Sequence, residues 1–283
     1  MRYATFKLSD GTAAAVSDGA RWRRLPYRSL SELLSAGALT GPVKDQVPAG
    51  DQLGDLIPSD AEPGLLTPAP RKIICTGINY ADHIAETGRE TPSHPTLFAK
   101  FADTLTDPYA TITLPAWVDI DWEAELAVVI GHPLHRGDRE QALEAIAGYT
   151  VANDISVRDW QYRTLQWLQG KAWDRTTPLG PELVTPDEFD PAAGARISCR
   201  VNGVLMQSDD TSTLAFDSAE LIAYISQFTA LAPGDLILTG TPGGVGTARK
   251  PKLYLKHGDV VETEIEGLGK LINRIELEGS EQA

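Results

Sequence analysis

The chain has 283 residues, a formal net charge of −14 and a pI near 4.8, with 42% hydrophobic and 23% charged residues. That acidity, unbroken by any basic run, excludes nucleic acid and anionic membrane surfaces as partners; the length allows one large core with a smaller satellite. No apolar run reaches membrane-spanning length, the start Met1-Arg2-Tyr3-Ala4-Thr5-Phe6-Lys7 carries no apolar leader, and Cys75 and Cys199 lie far apart. A cytoplasmic protein with free thiols is expected.

In chain order, Arg2–Leu8 and residues 12–17 flank an Asp10-Gly11 turn and read as a hairpin. Ser29-Leu30-Ser31-Glu32 is a capping box that opens a short helix ending near Gly37. Pro58, Pro63, Pro68 and Pro70 punctuate a linker-like stretch, which places a domain boundary near residues 58–70. This separates a small N-terminal domain over 1–65 from a larger one over 66–283. Asn79 with Asp82 reads as a helix start and Gly88 as its stop, so His83 and Glu86 share one helix face. Such a pair is either an ordinary surface contact or a histidine made basic by its carboxylate neighbour. Strands are predicted over 71–76, 111–114, 122–130, 149–153, 197–201, 236–239 and 260–265, with helices chiefly over 139–147 and 218–228. Many strands and few helices give an α+β, β-rich class with a sandwich or barrel-like core.

Within the predicted strand 122–130 the side chains alternate between two faces. Trp122, Ala124, Leu126, Val128 and Ile130 make an apolar face, and Glu123 and Glu125 fall together on the other, roughly 6.6 Å apart. Like charges at that spacing repel, and a hard divalent cation with oxygen ligands would neutralise them. Ala127 and Val129 continue the carboxylate face, so the pair sits at the mouth of a core. Asp154, at the end of the strand 149–153, offers a third carboxylate. Lys171, between small and aromatic residues, offers a positive charge for an anionic substrate or a developing oxyanion.

Taken in order, Trp122 to Gly131, Tyr149 to Asp159, Gly170 to Asp174, Val201-Asn202-Gly203, Ser218-Ala219-Glu220-Leu221-Ile222 and Leu238-Thr239-Gly240-Thr241-Pro242-Gly243-Gly244-Val245-Gly246 resemble the fumarylacetoacetate hydrolase family. The resemblance implies a mixed β-sandwich roll and places Glu123, Glu125 and Asp154 in a divalent-metal triad holding Mg²⁺, Mn²⁺ or Ca²⁺. It puts Lys171 on an active-site lysine, with Arg158 and Gln161 on polar positions lining the substrate pocket. Thr241 falls on a residue that meets the substrate's carboxylate or oxyanion side. His83 and Glu86 fall on a lid dyad that activates water. A homodimer is also implied. Ala172-Trp173 stands where many members carry Ser-Phe, which touches pocket shape and not the lysine's charge.

Other features read as structure. His132 and His135 lack a nearby third ligand. The glycine-rich run 240–246 lacks the Gly-Lys-Ser/Thr ending of a P-loop, and reads as a tight turn whose glycines let the backbone approach a ligand. Lys100 reads as a structural or rim cation and not as a catalytic one. The expected activity is hydrolytic cleavage of a carbon–carbon bond in a 1,3-diketo acid of the acylpyruvate, fumarylpyruvate or fumarylacetoacetate type. The alternative is an oxaloacetate decarboxylase or a 2-oxo-acid isomerase or lyase of the same family, acting in either case on a small anionic 2-oxo or 2,4-dioxo acid. A metal-stabilised binding protein without catalysis is the third class. The acyl tail would be read by side chains within 89–106 and 162–167.

Overall fold

The computed structural model describes residues 1–17, 19–39, 53–82 and 92–279. Two mixed sheets dominate. The larger, of ten strands among the described residues, runs in the order Trp22–Arg24, Gly11–Ser17, Arg2–Leu8, Thr177–Val184, Ile146–Asn153, Ala124–Ile130, Leu236–Leu238, Ile73–Gly77 and Thr96–Lys100, with Leu105–Thr106 pairing beside Thr177–Val184. The smaller places Val204–Asp210, Arg196–Val201, Val260–Ile265, Gly269–Glu278 and Ile112–Pro115 in succession. Most neighbours are antiparallel, but Leu236–Leu238 runs parallel to Ile73–Gly77. This is the β-rich α+β sandwich that the strand count and the resemblance imply.

Ala124–Ile130 lies near the centre of the large sheet and is buried along its whole length. One face (Trp122, Ala124, Leu126, Val128, Ile130) packs in a core shared with Ile197, Cys199, Val261, Ile265, Leu271 and Ile275 of the smaller sheet. The other face (Ala127, Val129) packs with Ile73, Cys75, Leu236 and Leu238, and with Tyr3, Leu30, Leu33 and Leu34 from the N-terminal region. A strand covered on both sides needs a side chain suited to each, which accounts for the apolar run beyond Glu125. Each fully buried leucine or valine contributes about 1.5–3 kcal/mol.

The N-terminal hairpin forms as expected, with Tyr3 opposite Val16 and Leu8 opposite Gly11. It also continues the large sheet, Arg2 and Tyr3 pairing with Val184 and Leu183. Ser29 caps the helix Leu30–Ser35 by accepting from the Glu32 amide (3.3 Å). The reciprocal half of the box differs: Glu32 accepts from the Arg28 amide (2.6 Å) and not from Ser29.

Several boundaries differ from expectation, among them the strand predicted over 149–153, which starts at Ile146. The helix predicted over 139–147 ends at Glu144, because Ile146 is buried and starts a strand opposite Ile130. The helix from Ser218 stops at Ser226. The strand predicted over 122–130 is interrupted before Ala124. There the Glu123 amide donates to Asn153 Oδ1 (3.0 Å) and the Ala124 amide to Gln207 Oε1 (3.0 Å), so side-chain amides replace the ladder.

Candidate active site

The carboxylates meet because two antiparallel strands end side by side. Ala152 lies opposite Glu125 and Asn153 opposite Ala124. Past the ladder, the Asp154 amide donates to the Glu123 carbonyl (2.9 Å). One oxygen from each of Glu123, Glu125 and Asp154 lies within 4.8 Å of the others, and all three residues are buried.

Buried carboxylates require partners. Lys171 Nζ donates to Glu123 Oε2 (2.6 Å) and Asp154 Oδ2 (2.8 Å), with its ammonium 5.2 Å from the centre of the Phe98 ring. Lys100 pairs with the other oxygen of Asp154. Arg158 reaches Asp121 Oδ2 through Nε (2.8 Å) and Glu123 Oε1 through Nη1 (2.7 Å), and Nη1 also donates to Gln161 Oε1 (2.8 Å). Its Nη2 is buried without a hydrogen-bond partner among the described residues.

Burial alone would raise the pKa of Glu123 and Asp154. Lys171 with Arg158 outweighs it for Glu123, and Lys100 with Lys171 outweighs it for Asp154, so both carboxyls are held below their ordinary values. Burial works against the Lys171 ammonium, but Asp154 and Glu123 reverse the effect and raise its pKa. Glu125 is the exception. Burial first, then the charges of Asp154 and Glu123, push it well above the carboxylate range, while the Gly240 amide donates to it (2.9 Å) and opposes the shift.

Lys171 is positioned by a close helix contact. It ends the short helix Leu168–Lys171, which packs on Arg158–Gln161. A β-carbon on Gly170 would lie 2.5 Å from the Gln161 Cα, so glycine is required for the approach.

A cavity of about 930 Å³ opens onto this cluster, and Glu123, Arg158, Gln161, Lys171 and Thr241 line it. Glu125 and Asp154 stand behind that wall. Tyr162, Trp167 and Phe98 form apolar parts of the lining, from the two stretches expected to read the substrate's tail. His83 and Glu86 lie within 83–91, outside the described residues. Ahead of them, the Asn79 side chain donates to the Phe216 and Thr239 carbonyls (2.9 and 2.8 Å) and accepts from the Phe216 amide (2.8 Å).

Of the two readings of Lys100, structural or rim cation, the structure supports the first. Lys100 is not on the rim: it is 3% exposed and bound to the carboxylate cluster, because it ends a strand paired to Ile73–Gly77 and points inward. Within 240–246, Gly246 packs closely on the protein's own atoms. A β-carbon on Gly246 would lie 1.9 Å from the Leu253 carbonyl oxygen and 2.7 Å from Asp121 Oδ1. Asp121 is a residue of this site that sequence reasoning missed. It accepts from the Gly246 and Thr247 amides (2.7 and 2.9 Å) while holding Arg158. The signal was present, since Asp121, Glu123 and Glu125 share one alternation. Gln207 was missed as well: it donates to Thr241 Oγ1 (2.8 Å) and orients that hydroxyl.

The model for the fumarylacetoacetate (FAA) hydrolase C-terminal domain matches residues 72–276, from the strand before Asn79 to the last strand of the smaller sheet. The chain belongs to the fumarylacetoacetate hydrolase family. It is an enzyme of that family. Among its relatives is the oxaloacetate tautomerase Fahd2a, mitochondrial, of Rattus norvegicus, 48% identical over 208 residues. That match takes in 73% of this chain and 66% of the rat protein, just under two thirds of its length. The fumarylacetoacetate hydrolase of psychrophilic Exiguobacterium antarcticum superposes with a TM-score of 0.86 at 32% identity, covering 98% of this chain and 99% of that one. The 5-carboxymethyl-2-hydroxymuconate delta-isomerase of Mycobacterium smegmatis gives a TM-score of 0.80, also at 32% identity, covering 99% and 100%. Isomerase and hydrolase names thus occur among similar folds.

The donor set fits a divalent cation. Glu125 is 1% exposed and has no cationic side chain paired to it among the described residues. A hard cation taking one oxygen from each carboxylate would supply the missing charge and let Glu125 ionise.

Proposed function

We propose that the protein interconverts the keto and enol forms of a 2-oxo dicarboxylic acid of the oxaloacetate type, with a divalent cation held by Glu123, Glu125 and Asp154. The observation that carries this reading is the three-carboxylate cluster with a protonated Lys171 at its edge, in a chain 48% identical to a protein named as an oxaloacetate tautomerase. When bound, the cation would polarise the 2-oxo group and acidify the neighbouring C–H. Lys171 keeps its proton because Asp154 and Glu123 outweigh its burial, so it acts as a hydrogen-bond donor toward an enolate oxygen and not as a base. Arg158 holds the carboxylate end of the substrate through Nη2, which has no partner among the described residues, and the Thr241 hydroxyl, oriented by Gln207, adds a second donor. Trp167, Tyr162 and Phe98 reduce water access to the acid once it is seated.

Hydrolysis of a 1,3-diketo acid is the second reading. It is supported by the likeness to the Exiguobacterium hydrolase, at 32% identity against 48% for the tautomerase. The two are separated by product. Enol oxaloacetate should lose its ultraviolet absorbance far faster with protein and Mg²⁺ or Mn²⁺ than with either alone, and EDTA should abolish the gain. An acylpyruvate should yield two acids only if the second reading holds. Unaccelerated ketonisation alongside acylpyruvate cleavage would overturn the proposal.

A further inference from the structure

Three cations around the carboxylate cluster are already neutralised. Lys171 is shared by Glu123 and Asp154, Lys100 is bound to Asp154, and Arg158 is bound to Asp121 and Glu123. Lys252 differs. It lines the same cavity, is exposed, and forms no close ion pair among the described residues; its charge is felt by Asp119, which does not line the cavity. Its backbone is nevertheless anchored. The next residue, Leu253, donates its amide to the Gly246 carbonyl (3.1 Å), and Leu255 donates to Ile120 (2.8 Å). Gly246 and Thr247 in turn donate to Asp121. The lysine is therefore an ammonium with no close ion pair among the described residues, on a fixed stem at the cavity wall.

Charge balance gives it a role. Asp121, Glu123, Glu125 and Asp154 carry four negative charges when ionised, against three positive charges on Lys100, Arg158 and Lys171. A divalent cation would turn that single negative excess into a single positive one, enough for one substrate carboxylate. Lys252 adds a second positive charge on the same cavity.

We propose that Lys252 is a specificity-determining residue that binds the second, distal carboxylate, and that the cavity selects dicarboxylic over monocarboxylic 2-oxo acids. The inference rests on the reading given under Proposed function and deepens it. Lys252 takes no part in the proton transfer, and its contribution is to binding.

Stable 2-hydroxy acids make the test independent of turnover. Malate and 2-hydroxybutyrate differ in a distal carboxylate against a methyl group, as do 2-hydroxyglutarate and 2-hydroxyvalerate one carbon longer. Each is titrated calorimetrically into the Mg²⁺-loaded protein. In at least one pair, the wild type should favour the dicarboxylate by about ten-fold, the size of one hydrogen bond to a charged group. Lys252→Met should erase that preference without changing the monocarboxylate's affinity, and Lys252→Glu should weaken the dicarboxylate further. A preference that survives Lys252→Met, equal weakening of both members of a pair, or no preference in the wild type overturns the subsite while leaving oxaloacetate ketonisation intact. If the wild type binds none of the four acids and does not accelerate ketonisation, the functional reading fails and the subsite falls with it.

Discussion

The Asp121 carboxylate lies 2.8 Å from Arg158 Nε, with both groups almost wholly buried. Through this contact one acid ties the pocket arginine to the loop 241–252, since its oxygens also accept from the Gly246 and Thr247 amides. Removing one partner of a buried pair leaves the other uncompensated. Asp121→Asn should therefore cost about 3 kcal/mol of stability and raise KM for an anionic substrate more than it lowers kcat. Urea denaturation and steady-state kinetics check the two halves. Wild-type stability in the variant would show that the loop and Arg158 are held by other contacts.

Metal binding should appear in stability before it appears in catalysis. A ligand that binds only the folded state stabilises it by about 2.7 kcal/mol at a hundredfold excess over its dissociation constant. Added Mg²⁺ or Mn²⁺ should raise the melting temperature of the wild type, and EDTA should reverse the rise. Glu125→Gln keeps the side-chain shape and the Gly240 contact but removes a ligand charge, so its melting temperature should not respond. Equal responses in the two proteins would place the ion elsewhere.

Asp217 offers a pH test away from the cavity. It caps the helix Ser218–Ser226 by accepting from the Glu220 amide, and Arg139 meets its carboxylate at Oδ1 (2.9 Å) and Oδ2 (2.5 Å). Burial alone would raise its pKa, but the Arg139 and Glu220 hydrogen bonds outweigh that and hold it below 3.8. A depressed folded pKa means that its stabilisation is present above the unfolded value and is lost as pH falls through the folded one. Asp217→Ala should cost about 1 kcal/mol at pH 7, typical of a lost cap. The gap between variant and wild type should narrow as pH drops below 3.8. A constant gap across that range would show that the charged form contributes nothing.

Much of the site was legible in one dimension because its logic is local. Alternation alone sorted Glu123 and Glu125 onto one side and Trp122, Ala124 and Leu126 onto the other, and the cores on the two faces of the strand follow that division. Asp154 and Lys171 were legible as a strand end and an isolated cation, and both now touch the cluster. Capping chemistry at Ser29 marked a helix start correctly, since it depends on residues three positions apart.

What the order of residues determined by itself was three of the carboxylates, Glu123, Glu125 and Asp154, the shared face of Glu123 and Glu125, and the β-rich class. Only the tertiary structure decided which charges neutralise them, because an ion pair across a sheet leaves no local pattern. Lys100 and Asp154 are 54 positions apart, and Arg158 and Asp121 are 37. The strand Thr177–Val184 makes the same point. With Pro178, Gly180 and Pro181 it has poor intrinsic strand character, yet it is held between Arg2–Leu8 and Ile146–Asn153. Pairing with neighbours distant in sequence outweighed local propensity there, and the same long-range pairing carries Lys100, on its own strand, into the carboxylate cluster.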